Sequence, residues 1–77
     1  MKNNTVDVVL HIDESTTHNV REDLLDSLYT INGVSTASYN EEKPHLLIIK
    51  YNPSVIHPDE FIKEAQNRDL HAELIGM

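Results

Sequence analysis

Apolar and polar residues follow two different periods along this chain. Alternation of apolar and polar positions, with many β-branched residues, predicts four strands. The predicted strands span residues 6–12, 34–40, 45–51 and 70–75. Apolar residues spaced three and four apart predict two helices, over about residues 18–30 and 58–67. All connections between these elements are short, which is typical of a compact domain.

The order strand, helix, strand, strand, helix, strand predicts one α+β domain over residues 1–77. Two strand–helix–strand units form a ferredoxin-like βαββαβ sandwich, with a four-stranded antiparallel sheet and two helices on one face. The expected order across the sheet is fourth, first, third, second strand. The other face of the sheet is left open. The predicted core residues are Leu10, Leu24, Leu28, Ile49, Tyr51 and Phe61.

The ends of the first predicted helix carry capping residues. Asn19, with Glu22 three positions later, resembles a capping box, and Thr17 fits the N-cap equally well. Asn32-Gly33 is expected to end the helix, because both residues tolerate a left-handed backbone.

Composition removes several classes of function. The 77 residues include no cysteine, so disulfides, thiolate metal sites and thiol redox centres are excluded. Thirteen acidic and six basic residues give a net charge of −7, which disfavours nucleic acid and anionic membranes and leaves cationic partners or divalent metals. Residues 1–5 hold one lysine with no apolar run behind them, so neither a signal peptide nor a membrane span is predicted and a cytoplasmic location is expected.

Three local sequences resemble one known family. Gly33-Val34, the run Ile-Lys-Tyr-Asn-Pro at 49–53 and the run Pro-Asp-Glu-Phe-Ile at 58–62 are similar to features of heavy-metal-associated domains. That family comprises copper chaperones and the N-terminal modules of metal-pumping ATPases. The resemblance covers about residues 6–75 and implies a ferredoxin-like domain of metal-binding or metal-transport type.

The metal ligands of that family are missing from this chain. Its Met-x-Cys-x-x-Cys motif falls on Ser15, Thr17 and Val20, and its Gly-Tyr before the last strand falls on Asp69-Leu70. Copper(I) requires soft thiolate or thioether donors, which hydroxyl and valine side chains do not supply. The sequence therefore argues against conventional copper transfer.

Histidines are the main remaining candidate ligands. His11, late in the first strand, and His71, early in the fourth, are expected to lie on adjacent antiparallel strands and to face the open side of the sheet. Glu73 shares that face, and His18 begins the first helix nearby. With Glu73 or Asp13, the two strand histidines predict a nitrogen/oxygen site for zinc or nickel. The alternative is that these are scattered surface histidines.

The open face also carries a predicted apolar patch. Its members are Val9, Leu46, Ile48 and Ile75. Such a patch is typical of self-association or of docking to a protein partner, although single exposed apolar residues are also common on ordinary surfaces.

No enzyme is predicted. The chain has no cysteine nucleophile, no glycine-rich phosphate loop and no Gly-x-Ser-x-Gly sequence. The functional hypothesis is a non-catalytic module that docks to a partner or binds a metal weakly through histidine. The alternative is a regulatory domain of the same fold that senses a small molecule.

Overall fold

A computed structural model describes residues 4–75. Residues 1–3, which belong to the N-terminal segment discussed above, and residues 76–77 lie outside the described part. In chain order the elements are β1 (Val6–Ile12), α1 (His18–Tyr29), β2 (Val34–Asn40), β3 (Lys43–Tyr51), α2 (Asp59–Gln66) and β4 (Ala72–Leu74). The strands form one antiparallel sheet in the order β2-β3-β1-β4. The predicted ferredoxin-like fold and strand order are confirmed.

The core lies between the sheet and the two helices, and all six residues predicted for it are buried. Tyr51 of β3 and Phe61 of α2 meet edge to face, with ring centroids 5.1 Å apart, and this contact joins the second helix to the sheet. Apolar residues in the first turn or at the first position of an element are less buried than those in its middle. Val6 and Val20, at the starts of β1 and α1, are 38% and 37% exposed.

Helix α1 begins at a threonine cap. The Thr17 Oγ1 accepts a hydrogen bond from the Val20 N–H at 3.2 Å, so Thr17 rather than Asn19 is the N-cap residue. A cap of this kind satisfies one of the backbone donors that the first helical turn leaves free.

Gly33 connects α1 to β2 in a conformation that suits glycine. Its φ is +105°, and a Cβ added there would lie 2.9 Å from Cγ1 of Val55. The Asn52 N–H donates to the Gly33 carbonyl at 2.8 Å, which ties the exit of β3 to this turn. A side chain at position 33 would therefore strain the backbone and displace the loop before α2.

Two strands differ in length from the prediction. β3 begins at Lys43, two residues early, because the hairpin turn needs only Glu41 and Glu42. β4 is confined to Ala72–Leu74, since the chain reverses at Asp69 with φ +59° and the Leu70 N–H donates back to the Ala65 carbonyl. Leu70 is buried, but it lies in the loop that follows α2 and not in a strand.

Candidate metal centre

Three potential ligands meet where β1 ends beside β4. His11 is paired with Glu73 in the antiparallel register, and Asp13 follows β1 directly. The Asp13 N–H donates to the His71 carbonyl at 2.8 Å, which continues the strand pairing past Ile12. One ligand atom from each of His11, Asp13 and Glu73 lies within 4.8 Å of the other two. We call these three residues the β1–β4 cluster.

One ring nitrogen of His11 lacks a hydrogen-bond partner in the described part of the chain. Nδ1 lies 3.2 Å from Oδ1 of Asp13, yet the geometry does not form a hydrogen bond, and within residues 4–75 this buried atom has no other partner. The side chains of His11 and Asp13 are 35% and 59% exposed, so the cluster opens to solvent. Imidazole nitrogen and carboxylate oxygen are both ligand types of borderline divalent ions.

His71 points its ring at a different residue. Its Nδ1 lies 2.5 Å from Oε2 of Glu14, and its backbone N–H donates to Oε1 of the same carboxylate at 2.8 Å. The hydrogen bond to Glu14, reinforced by the negative charge of Glu14, raises the pKa of His71 above its ordinary value. The two hydrogen bonds from His71 lower the pKa of Glu14. His71 therefore lies next to the β1–β4 cluster along the strand but outside it.

His18 lies in a separate group near β2. Its Nδ1 is 3.0 Å from the Tyr39 hydroxyl, and the carboxylates of Glu22 and Glu41 are each 3.9 Å from its ring nitrogens. Tyr39 belongs to β2, and β2 and β4 are the opposite edges of the sheet. The fold thus places His18 with Tyr39 and not with Glu73.

His45 is a neighbour of the cluster that sequence reasoning assigned no role. Its ring stacks near that of His11, with centroids 6.0 Å apart and planes inclined by 21°. Its Nδ1 lies 2.7 Å from the Ile12 carbonyl oxygen, to which it donates when that nitrogen carries the proton. The register of β1 against β3 pairs His11 with Leu46, which brings His45 close along the chain, although alternation alone would turn its side chain to the opposite face.

The apolar patch predicted on the open face is present and adjoins the cluster. Ile48 and Ile75 are 45% and 50% exposed, whereas Val9 and Leu46 are half-buried. Val9 pairs with Ile48 across β1 and β3, and the Ile75 N–H donates to the Val9 carbonyl at 3.0 Å. The four residues are therefore neighbours on the open face, three of them on the central strands β1 and β3 and one, Ile75, directly after β4.

Solved structures with this fold include metal-binding domains. The N-terminal domain of a potential copper-translocating P-type ATPase from Bacillus subtilis, in its Cu(I)-loaded state, superposes with a TM-score of 0.83 at 19% identity, covering 94% of this chain and 89% of that one. A copper-binding domain from the P-type ATPase HMA7 gives 0.80 at 16% identity, covering 91% and 93%. The apo HMA domain of a copper chaperone for superoxide dismutase gives 0.62 at 18% identity, covering 100% and 76%.

The chain has the fold of a heavy-metal-associated domain. This confirms the fold that the local resemblance implied, and the chain departs from the family's pattern in containing no cysteine. No protein-family model matches the sequence, and no curated protein matches it significantly. Neither helix in the described part of the chain is long and apolar enough to cross a membrane.

Proposed function

We propose that this chain is a non-catalytic module that binds a divalent metal ion, such as zinc or nickel, through nitrogen and oxygen ligands. The observation that carries the proposal is the β1–β4 cluster, which brings one imidazole and two carboxylates within 4.8 Å of one another. Imidazole and carboxylate suit borderline divalent ions, whereas copper(I) prefers sulfur. The fold supports the same class of function, since the copper-binding domain from HMA7 shares it.

The proposed site is weak and open. Ligand atoms around a tetrahedral zinc ion lie roughly 3.4 Å apart, given metal–ligand bonds of about 2.0–2.2 Å. The three ligand atoms lie within 4.8 Å of one another, so the side chains would have to adjust to reach this geometry, and the exposed Asp13 side chain would lose conformational freedom when it binds. Three protein ligands leave a fourth position free, as in zinc sites that retain a water molecule.

We propose that His71 takes this fourth position in place of water. Its backbone carbonyl accepts a hydrogen bond from the Asp13 N–H, which holds His71 beside the cluster, and its ring must leave Glu14 to bind the metal. A metal ion needs the neutral imidazole, whereas the contact with Glu14 favours the protonated one and raises the pKa of His71. Metal binding and the His71–Glu14 contact therefore compete, and metal affinity is expected to rise with pH.

The test is a zinc titration followed through the imidazole nitrogen signals of the five histidines. The signals of His11 and His71 should change, because a ligating nitrogen changes its chemical shift strongly. Those of His71 should change after those of His11, because the His71 ring must first leave Glu14. His57 is the internal control, since its Nδ1 lies 3.5 Å from Asp59 in the loop before α2. Changes at His45 or His57 while His11 and His71 stay silent would contradict the site.

A copper(I) titration against a competing chelator tests the choice of metal. We expect this chain to lose to a chelator with which thiolate chaperones compete successfully, because it contains no cysteine. Retention of copper(I) against the chelator would show that the assignment to borderline metals is wrong.

A second candidate function is docking of a protein on the open sheet face, favoured by the exposure of Ile48 and Ile75. The net charge of −7 favours a partner with a basic rim around an apolar centre. A basic amphipathic model peptide should shift the amide signals of β1 and β3, and Ile48→Ser should reduce the response. Sedimentation of the chain alone shows whether a second copy occupies the face instead.

A further inference from the structure

A small pocket lies on the other side of the end of β1, between the β1–α1 loop and the start of β3. It has a volume of about 70 Å³ and is lined by Ser15, Thr16, Arg21, Pro44 and His45. This is far below the roughly 300 Å³ at which pockets begin to enclose drug-sized molecules. Any ligand must therefore be small, or must enter by a single functional group.

Arg21 supplies the charge of this pocket. Its Nη1 donates to the Thr16 carbonyl at 2.6 Å and to the Thr16 hydroxyl at 2.9 Å, and its guanidinium lies over the Tyr39 ring, 5.1 Å from the centroid. Its Nε–H is buried and has no hydrogen-bond partner in the described part of the chain. These contacts fix the plane of the guanidinium and leave a shielded donor unused.

The surroundings of Arg21 contrast with those of Arg68, the other arginine. Arg68 binds the carboxylates of Asp23 at 2.8 Å and Glu64 at 3.3 Å and also contacts the Ser27 hydroxyl. Arg21 has no carboxylate within 4.0 Å among residues 4–75, although the chain has thirteen acidic residues. The Tyr39 hydroxyl, and not the guanidinium, is what contacts the carboxylates of Glu22 and Glu41, at 3.3 and 3.4 Å.

The rest of the lining adds donors and no carboxylate. Ser15 and Thr16 contribute hydroxyl groups. A fixed guanidinium and two hydroxyl groups match the acceptor oxygens of a tetrahedral anion.

We propose that this pocket binds one phosphate group, with Arg21 as its principal ligand and the hydroxyls of Ser15 and Thr16 completing the contact. The phosphate is either the free inorganic ion or the terminal group of a small phosphate ester, since the volume admits one such group. This site is independent of the proposed metal centre, because none of its donors belongs to the β1–β4 cluster.

The direct test follows the arginine Nε–H signals in the wild-type protein while inorganic phosphate and glycerol 3-phosphate are titrated in parallel. The Arg21 signal should shift with saturation, together with the Ser15 and Thr16 amides, while the Arg68 signal stays fixed as the control. A stronger response to the inorganic ion assigns a free ion, and a stronger response to the ester assigns a phosphorylated metabolite. An unmoved Arg21 signal with both compounds overturns the proposal.

Two substitutions separate charge from geometry. Arg21→Gln should weaken phosphate binding about tenfold or more, because a hydrogen-bonded charge is removed. Arg21→Lys keeps the charge but not the fork of donors, and it should bind with intermediate affinity. Lys50→Gln removes the same charge from an exposed position on β3 and should change binding less than about twofold.

The Arg21 variants also lose the contacts to Thr16, so each is checked for a native amide spectrum before titration. If Arg21→Gln is not folded, the comparison of Arg21→Lys with wild type and Lys50→Gln decides. Equal phosphate affinity in Arg21→Lys and wild type, or an equal loss in Lys50→Gln, would show that the pocket geometry plays no part.

Discussion

The two regions on either side of the end of β1 have opposite chemistry. The β1–β4 cluster brings two carboxylates to a histidine, whereas the small pocket brings hydroxyl groups to Arg21, which has no carboxylate within 4.0 Å among residues 4–75. His45 adjoins both, since it stacks near His11 and lines the pocket. A net charge of −7 therefore does not determine local chemistry, because residues a few positions apart present opposite charges to a ligand.

The largest effect is expected from removing the support that both regions share. Leu28 of α1 is completely buried, and truncating it to alanine should lower the free energy of unfolding by about 2–5 kcal/mol. Val20→Ala on the same helix is the matched control and should cost less than about 1 kcal/mol, because Val20 is 37% exposed. Urea denaturation measures both changes, and equal losses would contradict the core assignment.

The next effect separates the two regions from each other. His11→Asn should weaken zinc binding about tenfold or more, because even the loss of a residue that only supports a metal ligand costs about 10–100-fold in affinity. The phosphate response of Arg21 should be unchanged. His57→Asn removes an exposed imidazole elsewhere and should leave zinc affinity unchanged. Calorimetric zinc titrations measure the change. If His11→Asn and His57→Asn bind zinc as wild type does, the β1–β4 cluster is not the metal site.

The reciprocal measurement sharpens the contrast. Arg21→Gln should lose phosphate binding while zinc affinity stays within about twofold of wild type, because Arg21 lies outside the β1–β4 cluster and long-range charge effects at the surface are screened by salt. A parallel loss of zinc and phosphate in both variants would mean that the two regions form one site through His45.

The smallest effect concerns the contact between Glu14 and His71. The pKa of His71 is raised in the folded state, so its contribution to stability is present below its ordinary value of 6.5 and is lost as pH rises through the raised value. The pKa of Glu14 is lowered, so its contribution is present above its ordinary value of 4.5 and is lost as pH falls through the lowered value. The contact therefore stabilises the fold most between these two values, and only slightly, because the pair is on the surface.

The measurement is the urea midpoint of wild type, His71→Ala and Glu14→Gln at roughly pH 5.5 and pH 8, values on either side of the ordinary titration of histidine. Both variants should fall below wild type at the lower pH and approach it at the higher one. The double variant should lose no more than either single variant, since both changes remove the same contact. Additive losses would show that Glu14 and His71 do not act as a pair.

The alternation of residues predicted β1 and β2 without error, because strand length there follows directly from the apolar pattern. The short β4 was not predictable in the same way. The Leu70 N–H donates a hydrogen bond to the Ala65 carbonyl at the end of α2, so Leu70 cannot pair as a strand residue. The apolar alternation of residues 70–75 does not reveal this contact.

The candidate sites also contain features that the strand pattern predicts and features that depend on the direction of side chains. The proximity of His11 and Glu73 follows from strand order and pleat parity, which the sequence pattern contains. The direction of the His71 ring does not, because it depends on the Glu14 side chain in a loop. Arg21 was missed for a similar reason. Helical periodicity places its Cα on α1, but its long side chain turns back to Thr16 and Tyr39.

Thr17 and Val20, the positions that the family resemblance assigns to cysteine, are both exposed at the start of α1 and lie outside the core. Ligand gain and ligand loss at these positions are therefore nearly neutral for folding, apart from the threonine cap, whose replacement costs about 0.5–2 kcal/mol. Substitutions at these two positions can therefore change the chemistry of the loop without disturbing the core. The same freedom makes the chain a suitable host for a transplanted Cys-x-x-Cys motif at these positions.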